Sequence, residues 1–214
     1  MPAYDFRTPR LYVDAPLHEA ATVALDRSQA HYLTAVTRLK SGAGVLVFNG
    51  RDGEWQAAIR AEKRAAVLQI GTQTRAQIAP GDLHYLFAPL KSARLDYMVQ
   101  KAVEMGASRL QPVLTRHGQI ARVNTARMRA NAIEAAEQCG ILTLPDIAEP
   151  QRLEEAIRDW RKGRLLIFCD EDAEVADPLA ALKAARRSSA TAPPAAVLIG
   201  PEGGFDPGER EALR

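Results

Sequence analysis

From His84 onward the hydrophobic pattern switches repeatedly between short apolar runs and stretches with helical periodicity. This alternation restricts the fold more than any other feature of the chain. The apolar runs lie at 85–90, 110–114, 165–169 and 195–199, and helices are expected at 93–105, 125–139, 153–161 and 178–186. Leu95, Met98, Val99, Ala102 and Met105 fall on one helical face, as do Leu153, Ala156, Ile157 and Trp160. Gly106 and Gly140 stand where C′ glycines end two helices; Asn124 is placed to cap one helix and Asp177, before Pro178, another. Strands alternating with helices imply a mainly parallel sheet covered on both faces, an α/β domain.

The amino-terminal part has another rhythm. Short strands are expected at 11–13, 45–48, 55–59 and 66–70, with one helix capped by Ser28 that runs through His31 to Leu39 and stops at Ser41 and Gly42. Asn49-Gly50 and Asp52-Gly53 mark a hairpin. Such a set suggests a small, partly closed β-barrel, an architecture that often presents a face to nucleic acid. The pattern lapses between Thr72 and Asp82, where Pro80-Gly81 signals a turn, so the expected division is a barrel at 1–74, a linker at 75–82 and the α/β domain at 83–214. The stretch 186–194 reads as an exposed loop, and the chain has no internal repeat.

With 214 residues, 47% of them hydrophobic and 25% charged, the chain builds a core without staples. Cys139 and Cys169 have no Cys or His at ligand spacing, which excludes a disulfide framework and a metal site and leaves both expected as buried small hydrophobes. No apolar segment approaches the roughly 20 residues of a membrane span, and the amino terminus is charged; a soluble, cytoplasmic protein is expected. The net charge of +2 does not announce a nucleic-acid binder, but residues 1–75 hold 10 Lys and Arg against 7 Asp and Glu.

The most informative segment is 197–209: an apolar strand, a glycine-rich turn and a helix start. Asp206 as N-cap, Pro207 at N1 and Glu209 three residues beyond the cap form an acidic variant of the capping box. The turn therefore sits at the carboxyl end of a strand, the edge where open α/β sheets bind ligands, and its glycines let the backbone come close. No Lys-Ser or Lys-Thr follows at Walker spacing and no G-x-G-x-x-G occurs, which argues against a nucleoside triphosphate. Gly203-Gly204 also serves a tight strand-to-helix connection, and spacing alone leaves that reading open.

The loop from Ile199 to Phe205 resembles the cofactor loop of the SPOUT superfamily, trefoil-knotted methyltransferases that use S-adenosylmethionine. Lys91, Arg94 to Met98, Gln100 to Gly106, Pro112 and Glu134 to Gly140 resemble, within it, the bacterial family that methylates N3 of a uridine in small-subunit ribosomal RNA. Arg10 to Val13, His31 to Leu33, Val36, Arg38 to Lys40 and Gly42 to Gly50 resemble that family's PUA-like RNA-binding domain. The family continues beyond the Asp206 helix with a further strand and a Leu-Gly-x-x-Ile-Leu-Arg-x-Glu-Thr-Ala loop that threads the knot. The chain stops at Arg214, which by this resemblance leaves the cofactor pocket with one wall missing. Ile141, where the family commonly has Arg, and His117 are smaller departures.

The resemblance implies transfer of a sulfonium methyl to uridine N3 by positioning and electrostatic stabilisation, with no covalent nucleophile and no catalytic side chain assigned. Main-chain groups of Leu198, Ile199, Gly200, Pro201, Glu202, Gly203 and Gly204 would hold the cofactor, with Phe168 as a second wall; Glu202 is read as holding the loop. Arg10, Arg38, Lys40, Lys91 and Arg94 are the expected phosphate contacts, with Gln100, Lys101 and Gln138 as further RNA candidates. His31, Tyr12 and Phe48 are read as structural. The expected substrate is an unstacked uridine in RNA, not DNA, and the expected assembly a homodimer. The competing readings are a non-catalytic RNA-binding or ribosome-assembly factor and a methyltransferase of the same fold acting on another RNA.

Overall fold

In the computed structural model the described residues are 7–61, 66–120, 122–160, 163–185 and 193–214. The chain divides into two compact units, the first running to Ala79 and taking in Ile133–Leu144, the second comprising Pro80–Ala132 and Pro145–Arg214.

The first unit contains β1 (Arg10–Tyr12), β2 (Thr22–Ala24), α1 (Arg27–His31), a single π-helical turn (Tyr32–Val36), β3 (Gly44–Phe48), β4 (Glu54–Ala61) and β5 (Ala66–Arg75). These strands form one sheet in the order β1-β3-β4-β5-β2. Edge strands four positions apart in a flat sheet would lie roughly 19 Å from each other. Yet Leu11 and Val13 share one buried cluster with Val23, Val45, Ile59 and Leu68, so the sheet is curled around that cluster. The hairpin between β3 and β4 turns where Asn49-Gly50 and Asp52-Gly53 stand. Gly53 is required there: φ is +82°, and a Cβ would lie 2.3 Å from the Arg75 carbonyl oxygen.

Two expectations for this unit are corrected. The N-cap of α1 is Asp26, whose carboxylate accepts from Gln29 N–H at 2.8 Å while the Gln29 side chain accepts from Asp26 N–H at 3.1 Å. Ser28 instead donates its hydroxyl to Asp26, and the helix leaves α geometry at Tyr32 rather than running to Leu39. Strand β5 extends to Arg75, beyond the expected 66–70; its second half is exposed, so its side chains carry no apolar signal.

A buried ion network closes the unit. Arg10 Nε lies 2.6 Å from Glu54 Oε2, and Arg75 Nη2 reaches the same oxygen at 2.5 Å. Thr74 Oγ1 and Arg75 Nε donate to Glu54 Oε1, each at 2.9 Å. The other guanidinium nitrogens donate to carbonyl oxygens at the end of α3 (Thr125–Cys139): Arg10 to Ala136 and, at 3.0 Å, to Ile141, and Arg75 to Gly140 at 2.9 Å. Ala136 lies in the last turn of α3 and its carbonyl also accepts from Ile141 N–H at 3.1 Å, whereas Gly140 and Ile141 follow the helix. Arg10 also lies 3.9 Å from the centre of the Phe48 ring, which Tyr12 meets edge-on. Tyr12 and Phe48 are thus core residues, as expected, whereas His31 is exposed.

The second unit contains β6 (Leu83–Phe87), α2 (Ser92–Glu104), β7 (Arg109–Leu114), the start of α3, β8 (Asp146–Ile147), β9 (Gln151–Arg152), α4 (Leu153–Arg158), β10 (Leu165–Cys169), α5 (Pro178–Ala185), β11 (Ala195–Ile199) and α6 (Pro207–Leu213). Its sheet runs β10-β11-β6-β7-β8 with every pairing parallel, and β9 pairs with β7. Gly106 and Gly140 adopt the positive φ of helix-ending glycines. Asn124 accepts from Arg127 N–H, and Asp177 from Leu179 and Ala180 N–H, which confirms both caps. Helix α4 ends at Arg158, short of the expected 161.

The expected cover on both faces is incomplete: all of α5 is exposed, Leu179 and Leu182 included, and Tyr85, Ile167 and Val197 are only half-buried. Cys139 and Cys169, expected in the core, are exposed because each is the last residue of its element. Most of the expected 186–194 loop lies outside the described residues. Among them no helix is long and apolar enough to cross a membrane, and no cluster of His, Cys, Asp and Glu is placed to hold a metal.

Burial alone would raise the Glu54 carboxyl, but hydrogen bonds from Arg75, Arg10 and Thr74 outweigh it and hold its pKa below the ordinary 4.5. A lowered folded pKa contributes stability above the unfolded value, and that contribution is lost as pH falls through the folded one. Glu54→Gln is therefore expected to cost about 3–5 kcal/mol at pH 7, because it leaves two guanidinium groups without their carboxylate. Urea unfolding at pH 7 and pH 3 checks this: the gap between wild type and variant narrows at the lower pH.

Candidate functional site

Pairing of Ile199 with Phe87 and with Cys169 aligns the carboxyl ends of β11, β6 and β10 along one edge of the sheet. Strand β6 leads on through α2 to β7 on one side, while β11 is entered from β10 on the other. The gap between β6 and β11 is therefore a point where the chain changes direction, the place where such sheets offer a crevice. Ala88 N–H donates to Ile199 O at 3.0 Å across this gap.

The glycine-rich turn leaves this edge after Ile199. Gly204 N–H closes it by donating to Pro201 O at 2.9 Å, and Gly204 takes φ +70°. Phe205 is buried beneath it and meets Phe168 edge-on, with ring centres 5.0 Å apart. Gly200 permits this packing: a Cβ there would lie 2.3 Å from the Phe205 ring. At Gly203, by contrast, a Cβ would meet only the Cβ of His117, at 3.6 Å. The backbone is thus bare where it faces the cleft, and filled from behind where it faces the core.

The start of α6 fixes the far end of the turn. Asp206 accepts from Gly208 N–H at 3.0 Å, and Glu209 accepts from Asp206 N–H at 3.1 Å, which completes the expected capping box. The same buried Glu209 accepts from Arg116 N–H at 2.8 Å and so ties the loop after β7 to the turn. Asp170, after β10, lies 3.3 Å from both Arg210 and Arg214. These anchors were not singled out in the sequence; Glu209 was visible there only as a cap.

A cleft with about 40 Å³ of enclosed space lies between Pro201, Glu202 and Gly203 on one side and Pro89, Leu90, Lys91, His117, Gln119 and Ile120 on the other. That is small against the roughly 300–1,000 Å³ of pockets that enclose a ligand. The Thr115 hydroxyl, buried at the end of β7, has no hydrogen-bond partner among the described residues.

The expected cofactor residues are contiguous in space: Ile199 to Gly204 form the turn, and Phe168 packs against Phe205 behind it. Leu198 is buried and points into the core with Leu86 and Phe205, so only its main chain is available. Of the expected RNA residues, Lys91 lines the cleft and Arg94 pairs with Glu202. Both partners of that pair are largely exposed, so it contributes little to stability. Gln100 and Lys101 lie about two turns further along α2; Lys101 pairs with Glu104 at 2.7 Å and lies 5.5 Å from the Tyr97 ring centre. In the first unit Arg38, Lys40 and Gln138 are exposed, Arg38 at φ +55° just after the π turn. Arg10 is withdrawn from the RNA set. At 5% exposure its guanidinium is committed to Glu54 and to α3 carbonyls, and a phosphate cannot reach it.

Comparison with known proteins adds the following. Residues 77–214 match a family described as an RNA methyltransferase domain, and residues 25–71 one described as an RNA methyltransferase PUA domain. The chain is similar to a protein of Rickettsia conorii named ribosomal RNA small subunit methyltransferase E, at 28% identity over 95% of this chain and 82% of that one. It is also similar in structure to a ribosomal RNA small subunit methyltransferase E from Neisseria gonorrhoeae bound to S-adenosyl methionine, with a TM-score of 0.80 and 25% identity, covering 96% of this chain and 84% of that one. A Legionella pneumophila protein solved in complex with the same cofactor matches in fold with a TM-score of 0.78 at 24% identity over 96% of this chain and 85% of that one.

The two loop glycines separate stability from access. Gly200→Ala forces its methyl into the Phe205 ring and is expected to cost about 1–3 kcal/mol by overpacking. Gly203→Ala has room and is expected to stay within about 0.5 kcal/mol of wild type. Thermal melting of the two variants side by side tests the contrast.

Proposed function

The chain belongs to the RNA methyltransferase domain family, and from that premise we propose that it methylates N3 of a uridine in small-subunit ribosomal RNA, with S-adenosylmethionine as methyl donor. The observation that carries this reading is the bare backbone at Gly203, on the carboxyl edge of a parallel sheet, with Lys91 beside it. The R. conorii relative's name and the cofactor bound to the N. gonorrhoeae structure support it.

The residues fit the donor. An adenosyl group is recognised by main-chain N–H and C=O groups and by flat apolar contact, and the turn from Leu198 to Gly204 offers the first, with the backbone at Gly203 open to the cleft. The Phe168 and Phe205 rings stiffen the turn from behind. When bound, S-adenosylmethionine would supply an electrophilic methyl on a sulfonium with a neutral thioether as leaving group, and uracil would accept that methyl at N3 in exchange for its N3 proton.

What the chain contributes is position and field. The turn is held on both sides, by Phe205 packing and by Glu209, so its backbone dipoles are set before the ligands arrive. Lys91 and Arg94, the capping residue and first turn of α2, bring positive charge to the same cleft, where RNA phosphates and a developing uracil anion both benefit. Glu202 engages Arg94 and so links the turn to α2, rather than acting on uracil. The substrate base must leave its stack to present N3. In this reading Arg38 and Lys40 contact RNA from the PUA-like unit, Gln100, Lys101 and Gln138 are secondary contacts, and the protein acts in the cytoplasm as a homodimer.

Incubation with small-subunit ribosomal RNA and methyl-labelled S-adenosylmethionine, followed by nucleoside digestion, tests the proposal. Label in 3-methyluridine is the expected product; label in any other nucleoside contradicts the assignment. Arg94→Ala is expected to flatten the dependence of log affinity on log salt by about one unit, as loss of one phosphate contact does.

A further inference from the structure

The loop after β7 brings an imidazole to the glycine-rich turn, and the methyl-transfer reading gives it no role. Gly118 N–H donates to Thr115 O at 3.1 Å, so residues 115–118 form a β-turn with His117 in its third position. The start of α6 holds that turn in place. Arg116 N–H donates to buried Glu209 at 2.8 Å, and the Arg116 guanidinium lies 3.4 Å from Asp206. A Cβ at Gly203 would meet the His117 Cβ at 3.6 Å, so this side chain starts within contact distance of the bare backbone, and it is exposed.

Methylation of uracil at N3 leaves one proton to place. N3–H is a weak acid, and its bonding pair cannot attack a methyl while the proton stays. Solvent can take the proton, so the reading itself needs no reactive side chain, but a positioned base raises the rate. Among the described residues that line the cleft, the ionisable ones are Lys91, Glu202 and His117. A lysine ammonium offers three donors and no acceptor. Glu202 is engaged by Arg94, and a carboxylate is a weaker base than an imidazole. Imidazole is the side chain that ordinarily titrates between about pH 5 and 8, and its neutral form has one acceptor nitrogen. The charged groups about His117 are Lys91 and Arg94 at the start of α2, Glu202 in the glycine-rich turn, Arg116 in its own turn, and Asp206 and Glu209 at the start of α6. The enclosed space of about 40 Å³ holds only a few water-sized groups, so a base meets this cleft by an edge.

We propose that His117 is a catalytic residue, the general base that takes the N3 proton of the uridine. The neutral imidazole binds that proton while the N–H bonding pair stays on N3 and becomes the new bond to the methyl carbon. The methyl's former bond breaks with its pair remaining on sulfur. The imidazolium then gives its proton to water, and no further reactant is consumed. The proposal rests on the uridine-N3 reading above and assigns within it the group that moves the proton.

The test follows single-turnover methyl transfer to small-subunit ribosomal RNA by the full chain across neutral and alkaline pH. The imidazole ring signals are followed separately by magnetic resonance, without donor, during titration with hexauridine. The wild-type rate is expected to rise with pH through the range in which imidazole titrates and then to level. His117→Gln is expected to be about a hundredfold slower at pH 7, the lower end of what a general base contributes, and to keep accelerating as pH rises and N3–H ionises unaided. Added imidazole is expected to restore part of the rate of His117→Ala. Hexauridine is expected to shift the His117 ring signals, and a hexamer of 3-methyluridine, which lacks N3–H, to leave them in place. Equal rates and pH profiles for wild type and His117→Gln overturn the assignment. So do ring signals unmoved by hexauridine that shifts the Lys91 amide, or a uniform loss at every pH that imidazole does not restore, which marks a structural role. Transfer by wild type with an unchanged His117→Gln sinks His117 alone; no transfer by wild type, although hexauridine moves the ring signals, sinks the methyltransferase reading and the base assignment with it.

Discussion

The carboxylate of Glu54 is the point on which the first unit depends. One oxygen receives both Arg10 and Arg75, the other receives Thr74 and Arg75, and the arginines pass the connection on to carbonyls at the end of α3. Strands β1, β4 and β5 and the segment Ile133–Leu144 are thereby joined through a single buried acid. A buried charge of this kind is costly to leave unpaired, so the network constrains register more than it adds net stability. It also explains why a cation near the amino terminus is unavailable to RNA.

The second unit is organised by a different constraint, the parallel sheet. Parallel pairing sends the connections after β6, β7, β10 and β11 to one edge, and the loops there are held by Glu209, Asp170 and Phe205. Anchored loops of this sort present backbone groups without the disorder of free ones. Lys91 and Arg94 reach the same edge because α2 begins where β6 ends. The methyltransferase reading needs no reactive side chain: it uses a placed backbone, a nearby cation and the donor's own electrophile.

Much of this was legible in the sequence where local signals and burial agree. Runs at 165–169 and 195–199 became strands with the same bounds, and Asp206, Pro207 and Glu209 began a helix as their spacing required. Signals failed where tertiary partners decide. Ser28 and Asp26 are both capping residues, and only geometry shows that Asp26 accepts while Ser28 donates to it. The outer half of β5 carries polar side chains because it is exposed, so no period marked it. Arg10 reads as a surface cation until Glu54, 44 residues away, is seen beside it. Helix α5 has apolar residues, yet nothing in its sequence tells that Leu179 and Leu182 stay exposed. For the site, the turn and its charged neighbours were readable, whereas the facing wall of His117, Gln119 and Ile120 follows no motif and was found only by folding.

The central claim is that the turn at Gly200 to Gly204 is the methyl donor's seat. Calorimetric titration of S-adenosylmethionine into wild type and Gly203→Ala tests it most directly, since the variant adds one methyl group on the open side of that backbone. The account predicts saturable binding to wild type at one site per chain and at least about tenfold weaker binding to a variant that melts at the same temperature, the discrimination that one misplaced methyl gives in a fitted site. Equal binding by both proteins, or none by wild type, would contradict it.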